Sequence, residues 1–197
     1  AAVATEVPGA EVWAIESQPE AHSWAARNLA NLPVHLLLAD ATRLANGPDT
    51  PAVATPPAGP DTPGVATQPT ATRAPDTPPA LLPGVPAELA GRVDVVVSNP
   101  PYIPDGCRPL DPEVALHDPP VALYGGGVDG MRVPDGIVGT AVGLLRPGGV
   151  LIMEHGAEQG EAMRTLAAHH GLVEITTHQD LAGRDRVLRA KARREGL

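Results

Sequence analysis

Short apolar segments rich in β-branched residues alternate along the chain with longer segments in which apolar residues recur every three or four positions. The first pattern predicts buried strands and the second predicts amphipathic helices. The predicted strands are Glu11 to Glu16, Val34 to Ala39, Val93 to Ser98, Val150 to Glu154, Leu172 to His178 and Arg186 to Ala190. One predicted helix begins at Ser17, with Glu20 completing a capping box. Two further predicted helices cover Pro134 to Leu145 and Ala157 to His170. This alternation predicts an α/β fold with a mostly parallel sheet, closed by an antiparallel hairpin at the carboxyl end of the chain.

The composition changes between about residues 45 and 86, where 12 of the 24 prolines of the chain lie. The sequence Pro-Asp-Thr-Pro recurs there, beginning at Pro48, Pro60 and Pro75. A segment of this kind cannot bury enough apolar surface to offset the entropy lost on ordering. We therefore expect a disordered Pro/Ala/Thr-rich surface insertion at about 45–86.

Bulk properties exclude several classes of protein. The formal net charge of −9 argues against non-specific binding of nucleic acid, which needs clustered Lys and Arg. Cys107 is the only cysteine, which fits a reducing, cytoplasmic location, and the histidines show no metal-ligand spacing, so we expect no metal site. No apolar run approaches the ~20 residues of a membrane span. The chain begins at Ala1 rather than Met, and we expect that an amino-terminal part of the protein precedes it.

The sequence Asn99-Pro100-Pro101-Tyr102 directly follows a predicted buried strand, and open α/β sheets bind ligands at the carboxyl ends of their strands. The two prolines fix φ and remove backbone N–H donors, so the turn is stiff and its carbonyl groups are free. Such a turn can hold a planar –NH2 group through hydrogen bonds to the amide side chain and a carbonyl, while the aromatic ring packs against it. A rigid turn with a purely structural role is the alternative.

Acidic residues end other predicted strands. Glu16 could accept hydrogen bonds from a ribose diol, or it could be a carboxylate favoured by the dipole of the following helix. Asp40 could face the adenine end of the same ligand, or it could simply start a turn. Glu154 could also line the crevice, but we favour a structural role in which it caps the next helix. The segment Tyr124 to Gly127 lacks the context of a phosphate loop, and we expect a flexible segment at the substrate entrance.

Together these residues resemble the class I S-adenosylmethionine-dependent methyltransferases, and most closely the HemK-type peptide chain release factor N5-glutamine methyltransferases. The segments that carry the resemblance are Val95 to Pro104, Pro112 to Leu116, Ala122 to Gly130, Leu145 to Leu151, Glu154 to Gln159 and Asp180 to Arg186. The Asn-Pro-Pro-Tyr turn alone is shared with adenine-N6 DNA methyltransferases and some RNA methyltransferases. The resemblance implies a Rossmann-like fold, with one partial methyltransferase domain over residues 1–197 that the insertion interrupts.

The resemblance also implies roles for individual residues. Glu16 is similar to the acid that holds the ribose hydroxyls of S-adenosylmethionine, and Asp40 and Ala41 to the pair beside the adenine. Asn99 resembles the residue that touches both cofactor and substrate. Asn99 and Pro100 are the implied catalytic residues, and the implied pocket for the substrate glutamine consists of Asn99, Pro100, Pro101 and Tyr102. In this family that glutamine belongs to the Gly-Gly-Gln motif of release factors, so the implied partner is a release factor and the implied process is translation termination.

The chain also departs from the family pattern. The glycine-rich cofactor loop and the first strand, which in this fold lies between the strands at Glu11 and Val93, are not found in the sequence. We therefore expect two open sheet edges, weak or no binding of S-adenosylmethionine, and no activity of this chain alone. Three alternatives remain open: glutamine methylation of a ribosomal protein, amino methylation of nucleic acid by an adenine-N6-type enzyme, and an inactive remnant.

Overall fold

The computed structural model describes residues 1–42, 85–109 and 112–194. The strands are β1 Val12–Glu16, β2 Val34–Leu38, β3 Val93–Ser98, β4 Leu145–Glu154, β5 Val173–Gln179 and β6 Asp185–Lys191. The helices are α1 Ala2–Glu6, α2 Pro19–Leu29, α3 Pro112–His117, α4 Pro120–Leu123, α5 Arg132–Leu144 and α6 Gly160–His169. The predicted α/β class and the closing β5–β6 hairpin are confirmed.

The strands form two sheets. β1 and β2 pair in parallel, with Val12 opposite Val34. The second sheet has the order β3-β4-β6-β5, in which β3 and β4 are parallel and β6 is antiparallel to both of its neighbours. β1 and β3 are not hydrogen-bonded to each other, which agrees with the expectation of two open edges.

A cavity of about 350 Å³ lies between the two sheets. Its apolar lining includes Ile15 of β1, Leu37 of β2 and Val96 of β3. In β3, Val95 and Val97 are 50% and 67% exposed, and Val97 also lines this cavity. This apolar exposure is unusual for a parallel strand, which is normally covered on both faces.

The main core lies between the second sheet and the helices α5 and α6. Its buried members are Val138, Ala141, Leu145, Leu151, Met153, Met163, Ala167, Leu172, Leu188 and Ala190. The predicted periodicity of α5 is visible here, because Val138 and Ala141 lie one turn apart and both are fully buried. Packing of this kind holds the sheet that carries the Asn-Pro-Pro-Tyr turn.

Several predicted boundaries are wrong. α2 begins at Pro19 with Gln18 as its N-cap and no side-chain cap, so the predicted capping box at Ser17 does not form. α5 begins at Arg132 rather than at Pro134. Pro134 fits within the first turn of the helix, because the N–H that proline lacks has no partner at that position. The short helices α1, α3 and α4 were not predicted, because helices of four to six residues show little periodicity.

The predicted insertion at about 45–86 falls largely outside the described residues. Its penultimate residue, Val85, is described and buried, in a cluster with Leu144. The described residues therefore begin again at Val85, just inside the predicted end of the insertion. No helix in the described ranges is long and apolar enough to cross a membrane. Within the same ranges, no three His, Cys, Asp or Glu side chains are grouped as metal ligands.

Candidate functional site

A pocket of about 420 Å³ lies where β1, β2 and β3 end. The residues that line it lie at or just after the carboxyl ends of these strands or belong to helices beside them: Ile15, Glu16, Ser17, Gln18, Ala39, Asp40, Ala41, Thr42, Ser98, Asn99, Pro100, Pro101, Val121, Val133 and Ile137. Six of the seven residues predicted for cofactor or substrate meet in this one pocket. They do so because parallel strands place their carboxyl ends on the same side of the fold.

The two acidic residues at the pocket both make local hydrogen bonds. Glu16 accepts a hydrogen bond of 2.7 Å from the backbone N–H of Gln18, at the start of α2. Asp40 Oδ1 accepts hydrogen bonds from the backbone N–H and the hydroxyl of Thr42, at 2.9 and 2.6 Å. The structural roles considered from the sequence are therefore present, and each carboxylate also lines the pocket.

Asn99 and Pro100 differ in their surroundings. Asn99 is exposed, and its side chain has no hydrogen-bond partner within residues 1–42, 85–109 and 112–194. Pro100 is buried directly beside it. A buried proline anchors the turn, so an amide with free donors and an acceptor is presented at the wall of the pocket.

Tyr102 is the one predicted site residue that does not line this pocket. Its hydroxyl lies 3.4 Å from Oε1 of Glu154 and 3.4 Å from a guanidinium nitrogen of Arg186. The sequence suggested that Glu154 caps the next helix. Its carboxylate instead contacts Tyr102 of the turn. The tyrosine side chain reaches back across the sheet and ties the turn to the ends of β4 and β6.

Arg186 connects this region to the β5–β6 turn. Its Nε lies 3.7 Å from Oδ2 of Asp180, which also accepts a 2.9 Å hydrogen bond from Arg184. The backbone N–H of Arg184 holds the pKa of Asp180 below its usual value, helped by the Arg184 side chain and the N–H of Ala182 and opposed by desolvation. The negative charge that faces Arg186 is therefore maintained at neutral pH.

The glycine-rich segment after Tyr124 packs closely against the turn instead of forming an open loop. The N–H of Ile103 donates to the carbonyl of Leu123 at 2.9 Å, and the N–H of Gly125 donates to the carbonyl of Ile103 at 3.0 Å. A Cβ on Gly125 would lie 2.8 Å from the carbonyl oxygen of Pro101, so a side chain here would displace the turn. Glycine is needed at this position for the close approach.

None of the known protein-family models matches the chain. It is 37% identical over 195 residues to the release factor glutamine methyltransferase of Bifidobacterium longum, an alignment that covers 94% of this chain and 53% of the relative. It is 40% identical over 192 residues to the release factor glutamine methyltransferase of Mycolicibacterium smegmatis, covering 96% of this chain and 53% of the relative. The chain spans about half the length of these curated relatives.

A solved structure, a methyltransferase from Pyrococcus furiosus, has a similar fold. Its TM-score is 0.52 at 16% identity, and the match covers 97% of this chain and 67% of the solved one. This agreement confirms the Rossmann-like methyltransferase fold. The sequence similarity, which extends over almost all of the chain, goes further: the chain belongs to the family of the HemK-type release factor glutamine methyltransferases.

Proposed function

We propose that this chain forms the methyltransferase part of an enzyme that methylates the side-chain amide nitrogen of a glutamine in a protein. The proposed substrate is the glutamine of the Gly-Gly-Gln motif in a peptide chain release factor, and the proposed methyl donor is S-adenosylmethionine. The observation that carries the proposal is the pocket in which Asn99 and Pro100 lie beside Glu16 and Asp40. The names of the curated relatives support the choice of substrate.

The residues present fit the proposed donor in part. A pocket of about 420 Å³ is within the range of small-molecule sites, roughly 300–1,000 Å³. Glu16 would accept hydrogen bonds from the ribose hydroxyls, and Asp40 with Ala41 would border the adenine. When bound, S-adenosylmethionine supplies an electrophilic methyl group.

The chain's own residues would act on the substrate amide. A carboxamide nitrogen is a poor nucleophile, because its lone pair is delocalised into the carbonyl group. The side-chain oxygen of Asn99 and the backbone carbonyl of Pro100 would each accept a hydrogen bond from one of its N–H groups and so fix the direction of the nitrogen. Positioning of this kind can lower a barrier by about 7–11 kcal/mol. No strong base is required for this role.

The two alternative substrates are less well supported. The net charge of −9 opposes binding of nucleic acid, because phosphate contacts require clustered positive charge. A ribosomal protein offers the same glutamine chemistry, but both curated relatives described above are named for release factors. The release factor is therefore the substrate we propose to test first.

The test is transfer of a labelled methyl group from S-adenosylmethionine, with the chain in the full polypeptide that its native gene encodes. The substrates are an intact release factor and the same factor with the Gly-Gly-Gln glutamine changed to alanine, together with ribosomal protein and duplex DNA. We expect label on the intact factor alone. Label on the alanine variant would overturn the proposal. Label on DNA or on ribosomal protein, with none on the intact factor, would overturn it as well.

A further inference from the structure

We infer that Gln159 is a positioning residue, which fixes the Asn99–Tyr102 turn against the glycine-rich segment Tyr124–Gly130. This inference rests on the proposed function, because the turn that Gln159 would fix is the proposed binding site of the substrate amide. Gln159 is the last residue of a 3-10 turn, Ala157–Gln159, that leads into α6. It lines no part of the pocket between Glu16 and Asn99.

The carboxamide of Gln159 joins three separate segments of the chain. Its Oε1 accepts a 2.9 Å hydrogen bond from the backbone N–H of Gly156. Its Nε2 donates to the carbonyl of Tyr102 at 2.9 Å and to the carbonyl of Asp129 at 2.8 Å. The first bond is a local helix cap, whereas the other two span 57 and 30 residues in sequence. A cap alone would not need those two donors.

Only an amide matches this arrangement. Two carbonyl oxygens and one N–H converge on a single side chain, so the side chain must offer two donors and one acceptor. A glutamate offers acceptors only, and a lysine offers donors only. Gly156 adds a steric requirement, because a Cβ there would lie 2.8 Å from Oε1 of Gln159.

Gly130 packs against the same carbonyl group that Gln159 binds. Gly130 is buried with φ of 72°, and a Cβ there would collide with the Tyr102 carbonyl that Gln159 binds. Tyr102 directly follows the two prolines of the turn, which have little conformational freedom. A shift of the Tyr102 carbonyl is therefore transmitted to Pro100 and Asn99 rather than absorbed between them. In this way Gln159 sets the position of the Asn99 side chain and the Pro100 carbonyl.

The test compares Gln159→Glu and Gln159→Met with Gln179→Glu, all in the full polypeptide that the native gene encodes. Glutamate keeps the size of the side chain and loses both donors, whereas methionine keeps the length and loses every hydrogen bond. Gln179 is exposed at the end of β5, and within the described residues its side chain bonds only to Asp185, so it controls for the chemical change. The measurements are kcat and KM for methyl transfer, together with hydrogen–deuterium exchange of the backbone amides.

We expect kcat to fall by about 10²-fold in both Gln159 variants, the loss that a misplaced reacting group can cause. KM for S-adenosylmethionine should stay close to that of the unchanged protein, because Glu16 and Asp40 are untouched. The backbone amides of Ile103 and Gly125 should exchange faster in both Gln159 variants. Their exchange rates should not change in Gln179→Glu. A purely structural role would lower the amount of folded protein without this division between kcat and KM.

The two proposals can fail separately. If the unchanged protein does not methylate a release factor, the proposed function fails, and the exchange rates still decide whether Gln159 joins the two segments. If the unchanged protein is active and both Gln159 variants keep its kcat, the positioning role is overturned. Unchanged exchange of Ile103 and Gly125 in both variants would overturn it as well.

Discussion

The hydroxyl of Thr140 donates a hydrogen bond of 2.7 Å to the carbonyl oxygen of Ala41. Thr140 belongs to α5, which packs on the second sheet, whereas Ala41 follows β2 of the first sheet. One turn earlier, a Cβ on Gly136 would lie 2.8 Å from the carbonyl oxygen of Thr42, so the helix backbone passes close to the loop. α5 therefore links the two sheets at the wall of the candidate pocket.

Replacing Thr140 with valine keeps the shape of the side chain and removes the hydroxyl. The carbonyl of Ala41 then loses a partly buried donor, which should lower the free energy of unfolding by about 1–3 kcal/mol. The measurement is urea-induced unfolding at neutral pH. Thr165→Val is the matched control, because Thr165 also lies inside a helix, α6, but is exposed. Equal stabilities of the two variants would show that the Thr140 hydroxyl does not hold the sheets together.

Gly130→Ala should be far more damaging than Gly106→Ala. Both glycines have positive φ, 72° and 84°, so both substitutions cost about 1–2 kcal/mol of backbone strain. A Cβ on Gly106 meets nothing within 4 Å, whereas one on Gly130 collides with the Tyr102 carbonyl. We expect an additional loss of about 1–3 kcal/mol in Gly130→Ala, measured by thermal unfolding. Equal losses in the two variants would contradict the close packing of the glycine-rich segment on the turn.

The chain's local patterns predicted where the site lies. Glu16, Asp40 and Asn99 each follow an apolar strand, and parallel strands bring such positions to one edge regardless of their separation in sequence. The class of fold followed from the same alternation of strands and helices. These features depend on periodicity, which a single sequence displays directly.

The contacts that hold the site could not be predicted in the same way. Gln159 bonds to carbonyls 57 and 30 residues away, and backbone carbonyls carry no sequence signal of their own. Tyr102 likewise turns from the pocket towards Glu154 and Arg186, which depends on how the ends of β4 and β6 meet. The one available hint was that Gln159 lies in a segment resembling the methyltransferase family.

Asp180→Asn should change how stability depends on pH. The pKa of Asp180 is lowered in the folded chain, mainly by the backbone N–H of Arg184. Its contribution to stability is therefore complete above the unfolded pKa, about 3.9, and is lost as the pH falls through the lower folded pKa. The free energy of unfolding should consequently fall less steeply below about pH 4 in Asp180→Asn than in the unchanged protein.

Urea unfolding at pH 7, 4 and 3 measures this difference. Asp118→Asn removes the same charge from an exposed residue at the end of α3 and controls for the change in net charge. If Asp180→Asn follows the unchanged protein at all three pH values, the carboxylate does not stabilise the turn before β6. The variant also removes the anion that faces Arg186, 3.7 Å away, so the Tyr102 contact of Arg186 should loosen.

Asn99→Ala should strongly reduce methyl transfer while leaving the fold intact. The Asn99 side chain is exposed and has no hydrogen-bond partner in the described part of the chain, so the free energy of unfolding should change by less than about 0.5 kcal/mol. Loss of one hydrogen-bonding group at a reacting centre typically costs about 10²–10³-fold in kcat. Both quantities are measured in the full polypeptide, by urea unfolding and by transfer of labelled methyl to a release factor. Asn28→Ala, at an exposed position of α2, is the matched control. Near-normal methylation by Asn99→Ala would mean that the Asn99 side chain does not hold the substrate nitrogen, which would then have to be held by another wall of the pocket.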